Sequence, residues 1–168
     1  MTQVLLIDSN VWSHLVLGDG SKQTAIREKL ETLMQKYPQA ARATSGICVA
    51  ECLVAARRLA DPQARAAAEA AMRAEFDDPQ LMVVAVTDAV LDRAATLRAQ
   101  ALRLAGKAGS QAASSNGGKL KLPDAIIAAS CLEFDPPAIL LTENDKDFRY
   151  LDNGQSLTVA GLVLECVD

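Results

Sequence analysis

Runs of strand length that alternate with stretches of helical spacing constrain this chain more than any other feature. Val4 to Ile7, Ala43 to Ile47, Leu81 to Val86, Ala138 to Leu141 and Leu157 to Leu164 are short, and most of them are too apolar to leave one face in water. Between them the periodicity changes. A short helix can follow from Asn10, and Lys22 to Tyr37 places Ile26, Leu30, Leu33 and Met34 on one face with Pro38 just beyond. Val49 to Ala60 reads as a helix stopped at Asp61-Pro62, and an Ala-rich helix then runs to about Phe76. Thr87 is a good N-cap for a helix from Asp88 to about Ala105, and Pro123 fits the first turn of another. Five strands alternating with helices imply an α/β fold, a mostly parallel sheet covered on both faces.

The length of 168 residues, with 50% apolar and 23% charged side chains, suits one domain spanning 1–168. That composition excludes intrinsic disorder, and no apolar run is long enough to suggest a membrane span. The first residues lead straight to Asp8 without a basic start or a small-residue cleavage pattern, so no secretory signal is expected and the cytoplasm is the expected compartment. Cys48, Cys52, Cys131 and Cys166 lie in apolar stretches and read as reduced, buried thiols. The segment from Gly106 to Lys121 has no apolar periodicity and reads as a flexible surface loop. Its Gly117-Gly118-Lys119 triplet lacks the earlier glycine and the following Ser or Thr of a phosphate-binding loop, which removes a kinase or ATPase reading.

Acids at the ends of elements carry the chemistry. Ligands of an open parallel sheet sit beyond the carboxyl ends of its strands, where strand order reverses. Asp8 follows the first strand, and Asp147 follows Ala138 to Leu141 closely. Glu51 interrupts the apolar stretch from Ile47 to Ala55, where an unpaired charge would be costly. Asp124 opens an apolar helix; taken alone, it needs no purpose beyond favouring the helix dipole. Four carboxylates in one pocket would repel one another without a cation. Oxygen donors with a single histidine in the chain select hard Mg²⁺ or Mn²⁺ over zinc. Such a cluster supports phosphodiester hydrolysis by a water that the metal activates.

Four segments, in order along nearly the whole chain, carry a resemblance. Ile7-Asp8-Ser9-Asn10, Thr44-Ser45-Gly46-Ile47 leading to Glu51, Leu122-Pro123-Asp124-Ala125-Ile126-Ile127-Ala128-Ala129, and Leu141-Thr142-x-Asn144-x-x-Asp147-Phe148 together resemble the PIN-domain ribonucleases, above all the VapC-type toxins of bacterial toxin-antitoxin modules. The resemblance implies a five-stranded parallel sheet between helices and an endoribonuclease using one or two Mg²⁺ or Mn²⁺ ions. It matches Asp8, Glu51, Asp124 and Asp147 to the acidic quartet, with Asp145 as the alternative to Asp147, and Thr142 and Asn144 to supporting positions. In-line hydrolysis leaving 3′-hydroxyl and 5′-phosphate ends is implied, with RNA as substrate, a small antitoxin as partner and a homodimer through the early helices. The loop before Asp124 is longer than usual for the family.

Ser9 and Asn10 would support Asp8, although each is also an ordinary helix N-cap. His14 reads as a satisfied helix histidine without a catalytic role, and Trp12 as a packing residue rather than a base platform. Two other functions remain: a PIN-like module that binds RNA or protein without cleaving, and a phosphatase with Asp8 as covalent nucleophile. Asn10, where such phosphatases carry a second Asp, counts against the latter. The net charge of −4 at first argues against a nucleic-acid partner. It hides an asymmetry: Arg93, Arg98, Arg103, Lys107, Lys119 and Lys121 stand with no acid between Asp92 and Asp124, whereas the stretch after them is strongly acidic. Lys119 and Lys121, with Arg57 and Arg58 after Glu51, are therefore candidates to guide an RNA backbone.

Overall fold

A computed structural model describes residues 3–18, 20–107, 120–148 and 163–166. Five short strands, β1 (Val4–Ile7), β2 (Ala41–Ser45), β3 (Leu81–Val84), β4 (Ile139–Thr142) and β5 (Val163–Cys166), form one sheet in the order β3-β2-β1-β4-β5. Every pairing is parallel, with Leu6 opposite Ala43 on one side and Leu140 on the other. All residues of β1 and β4 are buried, as expected for strands covered on both faces.

The helices are α1 (Ser9–Leu17), α2 (Gly20–Lys36), α3 (Gly46–Arg57), α4 (Pro62–Phe76), α5 (Asp88–Lys107), α6 (Leu122–Cys131) and the single turn α7 (Asp145–Phe148). One face of the sheet packs Leu6, Ala43 and Leu140 with Val90, Ala94 and Leu97 of α5 and Ile127 of α6. The other packs Leu5, Ile7, Ile139 and Leu141 with Trp12 of α1, Ile26 and Leu33 of α2, and Met72 of α4. Alternate residues of a strand thus serve opposite layers. Helix α3 contributes Cys48 to the first layer and Cys52 to the second. Cys48, Cys52 and Cys131 are buried free thiols, as read from the sequence.

Local signals place most boundaries. Thr87 caps α5 by accepting from the Val90 N–H at 3.3 Å. Asp61 caps α4 by accepting from the Ala64 N–H at 2.6 Å, with Pro62 in the first turn. The structure also corrects the sequence reading. β2 spans Ala41–Ser45 rather than reaching Ile47, because Gly46 already begins α3, which ends at Arg57 rather than Ala60. Gly106 and Lys107, expected in the loop, close α5. Leu120, at the other end of that segment, is 1% exposed and packs in the core beside α6. The remainder of the proposed loop, 108–119, lies outside the described residues, as does the start expected for the last strand at Leu157. No helix among the described residues is long and apolar enough to cross a membrane.

Candidate active site

The strand order reverses between β1 and β4, since the chain builds outward from β1 through β2 to β3 and then returns to β4 on its other side. The crevice beyond the carboxyl ends of these two strands is where an open parallel sheet receives a ligand. Asp8 stands there. Its N–H donates to the Leu141 carbonyl, continuing the ladder one residue past β1, and its side chain caps α1 by accepting from the Ser9 N–H at 2.6 Å. The carboxylate is 2% exposed. Burial raises its pKa, while hydrogen bonds from Thr142 and Ser9 oppose the rise and the charge of Glu51 adds to it.

Thr142, the last residue of β4, holds Asp8 in place. Its hydroxyl donates to Asp8 Oδ2 at 2.6 Å and accepts from Asn10 Nδ2 at 3.2 Å and from the Asn144 N–H at 3.0 Å. The loop after β4 is tied to α1 a second time, where the Glu143 N–H donates to Asn10 Oδ1. Glu51 comes from α3. Ser9 Oγ lies 2.7 Å from Glu51 Oε2 and 3.3 Å from Asp8 Oδ1, so one hydroxyl bridges the two carboxylates. All four supporting residues expected from the sequence, Ser9, Asn10, Thr142 and Asn144, make contacts in this network.

Asp147 completes the site from α7. It is 8% exposed and accepts at Oδ2 from Asn144 Nδ2 at 2.6 Å and from Lys121 Nζ at 3.3 Å. Asp124 faces it from the first turn of α6. Asp124 Oδ2 is buried and has no hydrogen-bond partner among the described residues. Burial, then the charges of Asp147 and Asp8, push the Asp124 pKa up to about 6. Mutual repulsion ties these acids into one electrostatic unit. Among the described residues, however, no three Asp, Glu, His or Cys side chains are drawn together tightly enough to hold a metal as they stand. Three of the acids are instead turned toward donors: Asp8 to Thr142 and Ser9, Glu51 to Ser9, Asp147 to Asn144 and Lys121. The side chain of Asp145, the alternative to Asp147, lies outside the described residues.

The basic residues separate. Lys121 enters the pocket, and its pKa is raised by Asp147 first, then by Asp124 and Glu51. Arg57 instead donates to Glu69 of α4 through Nε at 3.2 Å and Nη2 at 2.8 Å, and Arg58 is exposed at the end of α3. Lys119 lies outside the described residues. His14 is partnered, as expected, but not as an isolated helix residue: Glu143 takes His14 Nε2 at 3.0 Å and Lys22 at 2.8 Å. The sequence offered no signal for that cluster, because its members converge only through the fold. Thr44 was likewise named without a role. It donates to the Ile7 carbonyl at 2.9 Å and accepts from Trp12 Nε1 at 3.1 Å, fixing the strand end just before Asp8. Trp12 packs edge-on against Phe76 at 5.6 Å and is a core residue, as read from the sequence. A separate cavity of about 430 Å³, lined by Ile7, Trp12, Leu15, Leu30 and Met34 under Arg27 and Glu31, contains none of the four acids.

The sequence matches the PIN domain family over residues 5–154, a span that includes all four acids, β4 and all of β1 but Val4. The chain belongs to the PIN domain family. No curated protein sequence matches it significantly. Among solved structures, the PIN fold seen here is similar to VapBC2 from Rickettsia felis bound to a DNA fragment from its promoter, with a TM-score of 0.62 at 18% identity over 99% of this chain and 100% of that one. It is similar also to VapBC-5 of the VapBC toxin-antitoxin family from Mycobacterium tuberculosis, with a TM-score of 0.60 at 21% identity over 98% of both chains. A toxin-antitoxin complex from Klebsiella pneumoniae gives 0.55 at 23% identity over 89% and 93%. At these identities the likeness establishes the α/β PIN fold.

Proposed function

We propose that this PIN-domain protein is a metal-dependent endoribonuclease, the VapC-type toxin of a toxin-antitoxin pair acting in the cytoplasm. The buried Asp124 oxygen without a partner among the described residues, on a carboxyl that burial and the charges of Asp147 and Asp8 push up at the β1–β4 crevice, carries the reading. An all-oxygen donor set with an orphaned buried carboxylate oxygen fits Mg²⁺ or Mn²⁺. Asp8, Glu51, Asp124 and Asp147 would hold one or two such ions, with Asp145 as the alternative to Asp147. The cation would supply charge compensation for the scissile phosphate and activation of water.

The chain's own residues prepare that site. Thr142 and Ser9 fix Asp8, Ser9 sets Glu51 against it, and Asn144 aims Asp147. Lys121, Lys119, Arg57 and Arg58 are the proposed contacts to the RNA backbone, Arg57 after leaving Glu69. The antitoxin partner is supported by the VapBC complexes among the similar structures, and a homodimer by exposed Val54 of α3 and Leu59 just beyond it. Replacing Asp8 or Asp124 by Asn tests the activity. Each change should abolish Mg²⁺- or Mn²⁺-dependent RNA cleavage by folded protein, and full cleavage by either variant would overturn the proposal.

A further inference from the structure

Of the four acids in the crevice, three act on one ammonium group. Lys121 is the N-cap residue of α6, three positions before Asp124, and its Nζ lies 3.3 Å from Asp147 Oδ2. The charges of Asp124 and Glu51 bear on it as well. Other basic side chains have partners elsewhere: Lys22 pairs with Glu143, which also takes His14 Nε2, Arg57 pairs with Glu69, and Arg93 with Glu133. Among the described residues, Lys121 alone forms an ion pair with a member of the quartet.

The pair is lopsided. The lysine side chain is 67% exposed and the aspartate side chain 12%. An ammonium on a flexible stem can return to water at little cost, whereas the carboxylate cannot leave. Asp147, one of the proposed metal ligands, meanwhile has its Oδ2 taken by both Lys121 and Asn144. We propose that Lys121 is the internal counter-ion of the acidic pocket and that a divalent cation must displace it from Asp147 in order to bind. This rests on the metal-nuclease reading above and adds to it. A lysine that only clamps RNA would leave metal affinity untouched, whereas a displaced counter-ion opposes the metal directly.

The test is calorimetric titration of Mn²⁺ into the metal-free full chain, with no RNA present. Lys121→Met and Lys121→Gln should bind Mn²⁺ roughly two- to fivefold more tightly than wild type, the range that an exposed ion pair corresponds to. Lys121→Arg, which keeps the charge, should restore the wild-type value. Neutralising the exposed Arg98 by Arg98→Gln should leave the value unchanged, which separates a local counter-ion from net charge. Unchanged or weaker binding by both neutral Lys121 variants, with wild type binding and Asp124→Asn losing Mn²⁺, would overturn the counter-ion alone. If wild type binds no Mn²⁺, or Asp124→Asn binds it equally well, the metal site fails and the counter-ion with it.

Discussion

Asp124 lies in the first turn of α6, where the helix dipole favours a negative charge, yet burial and the charges of Asp147 and Asp8 push its pKa up to about 6. The folded state therefore holds a proton there that the unfolded chain, with a carboxyl near 3.8, has lost. Stability from this group is full below the unfolded value and falls as pH rises through about 6. In chelator, Asp124→Asn should be more stable than wild type at pH 7.5 by about 1–2 kcal/mol, after allowing for partial solvent screening. That gain should vanish below about pH 4, and urea melts at several pH values would show it. Mn²⁺ affinity should fall with acidity in the same window, because protons compete for the same oxygen. Glu51 drew attention in the sequence because a carboxylate inside an apolar run demands a partner, whereas Asp124 taken alone read as an acid that favours the helix dipole and joined the set only through the resemblance. The Lys121–Asp147 contact was not, since it joins residues 26 apart through the docking of α7 against α6.

At the scale of elements, the crevice depends on β1 and β4 ending side by side, and Thr142 couples their ends. Its hydroxyl serves Asp8, Asn10 and the Asn144 N–H at once. Thr142→Val keeps the shape and removes all three bonds, so it should cost about 1–3 kcal/mol in denaturant melts and weaken Mn²⁺ binding. A variant as stable as wild type, with unchanged metal affinity, would contradict this role. The strands and the long helices were legible from hydrophobic period and Thr87 from cap chemistry, whereas Asp61-Pro62, read as the stop of one helix, also opens the next. β2 slipped by two residues because Ala-Thr-Ser-Gly-Ile has no apolar run to mark it, and its register with β1 and β3 decides instead. Gly106 and Lys107 continue α5 against the expectation from glycine, in keeping with tertiary context overriding a weak propensity.

Over the whole molecule, the net charge of −4 hides an asymmetry along the chain, because basic residues precede Asp124 along α5 and beyond. Substituting Gln at both Lys119 and Lys121 should reduce the salt dependence of single-stranded RNA binding, measured in chelator, by about 1.4 in the slope of log affinity against log salt. An unchanged slope would remove both lysines from the RNA path. Analytical ultracentrifugation should give twice the 17.8 kDa chain mass if the proposed homodimer forms. Family membership was legible because motifs from β1, α3, α6 and the β4–α7 turn occur in the order that the fold brings together at one strand-order reversal. The most direct measurement is the end chemistry of RNA fragments produced by the purified chain with Mn²⁺ and with chelator. Metal-dependent in-line hydrolysis should give 5′-phosphate and 3′-hydroxyl ends that disappear in chelator. Undiminished cleavage in chelator, or fragments ending in 2′,3′-cyclic phosphate, would contradict it.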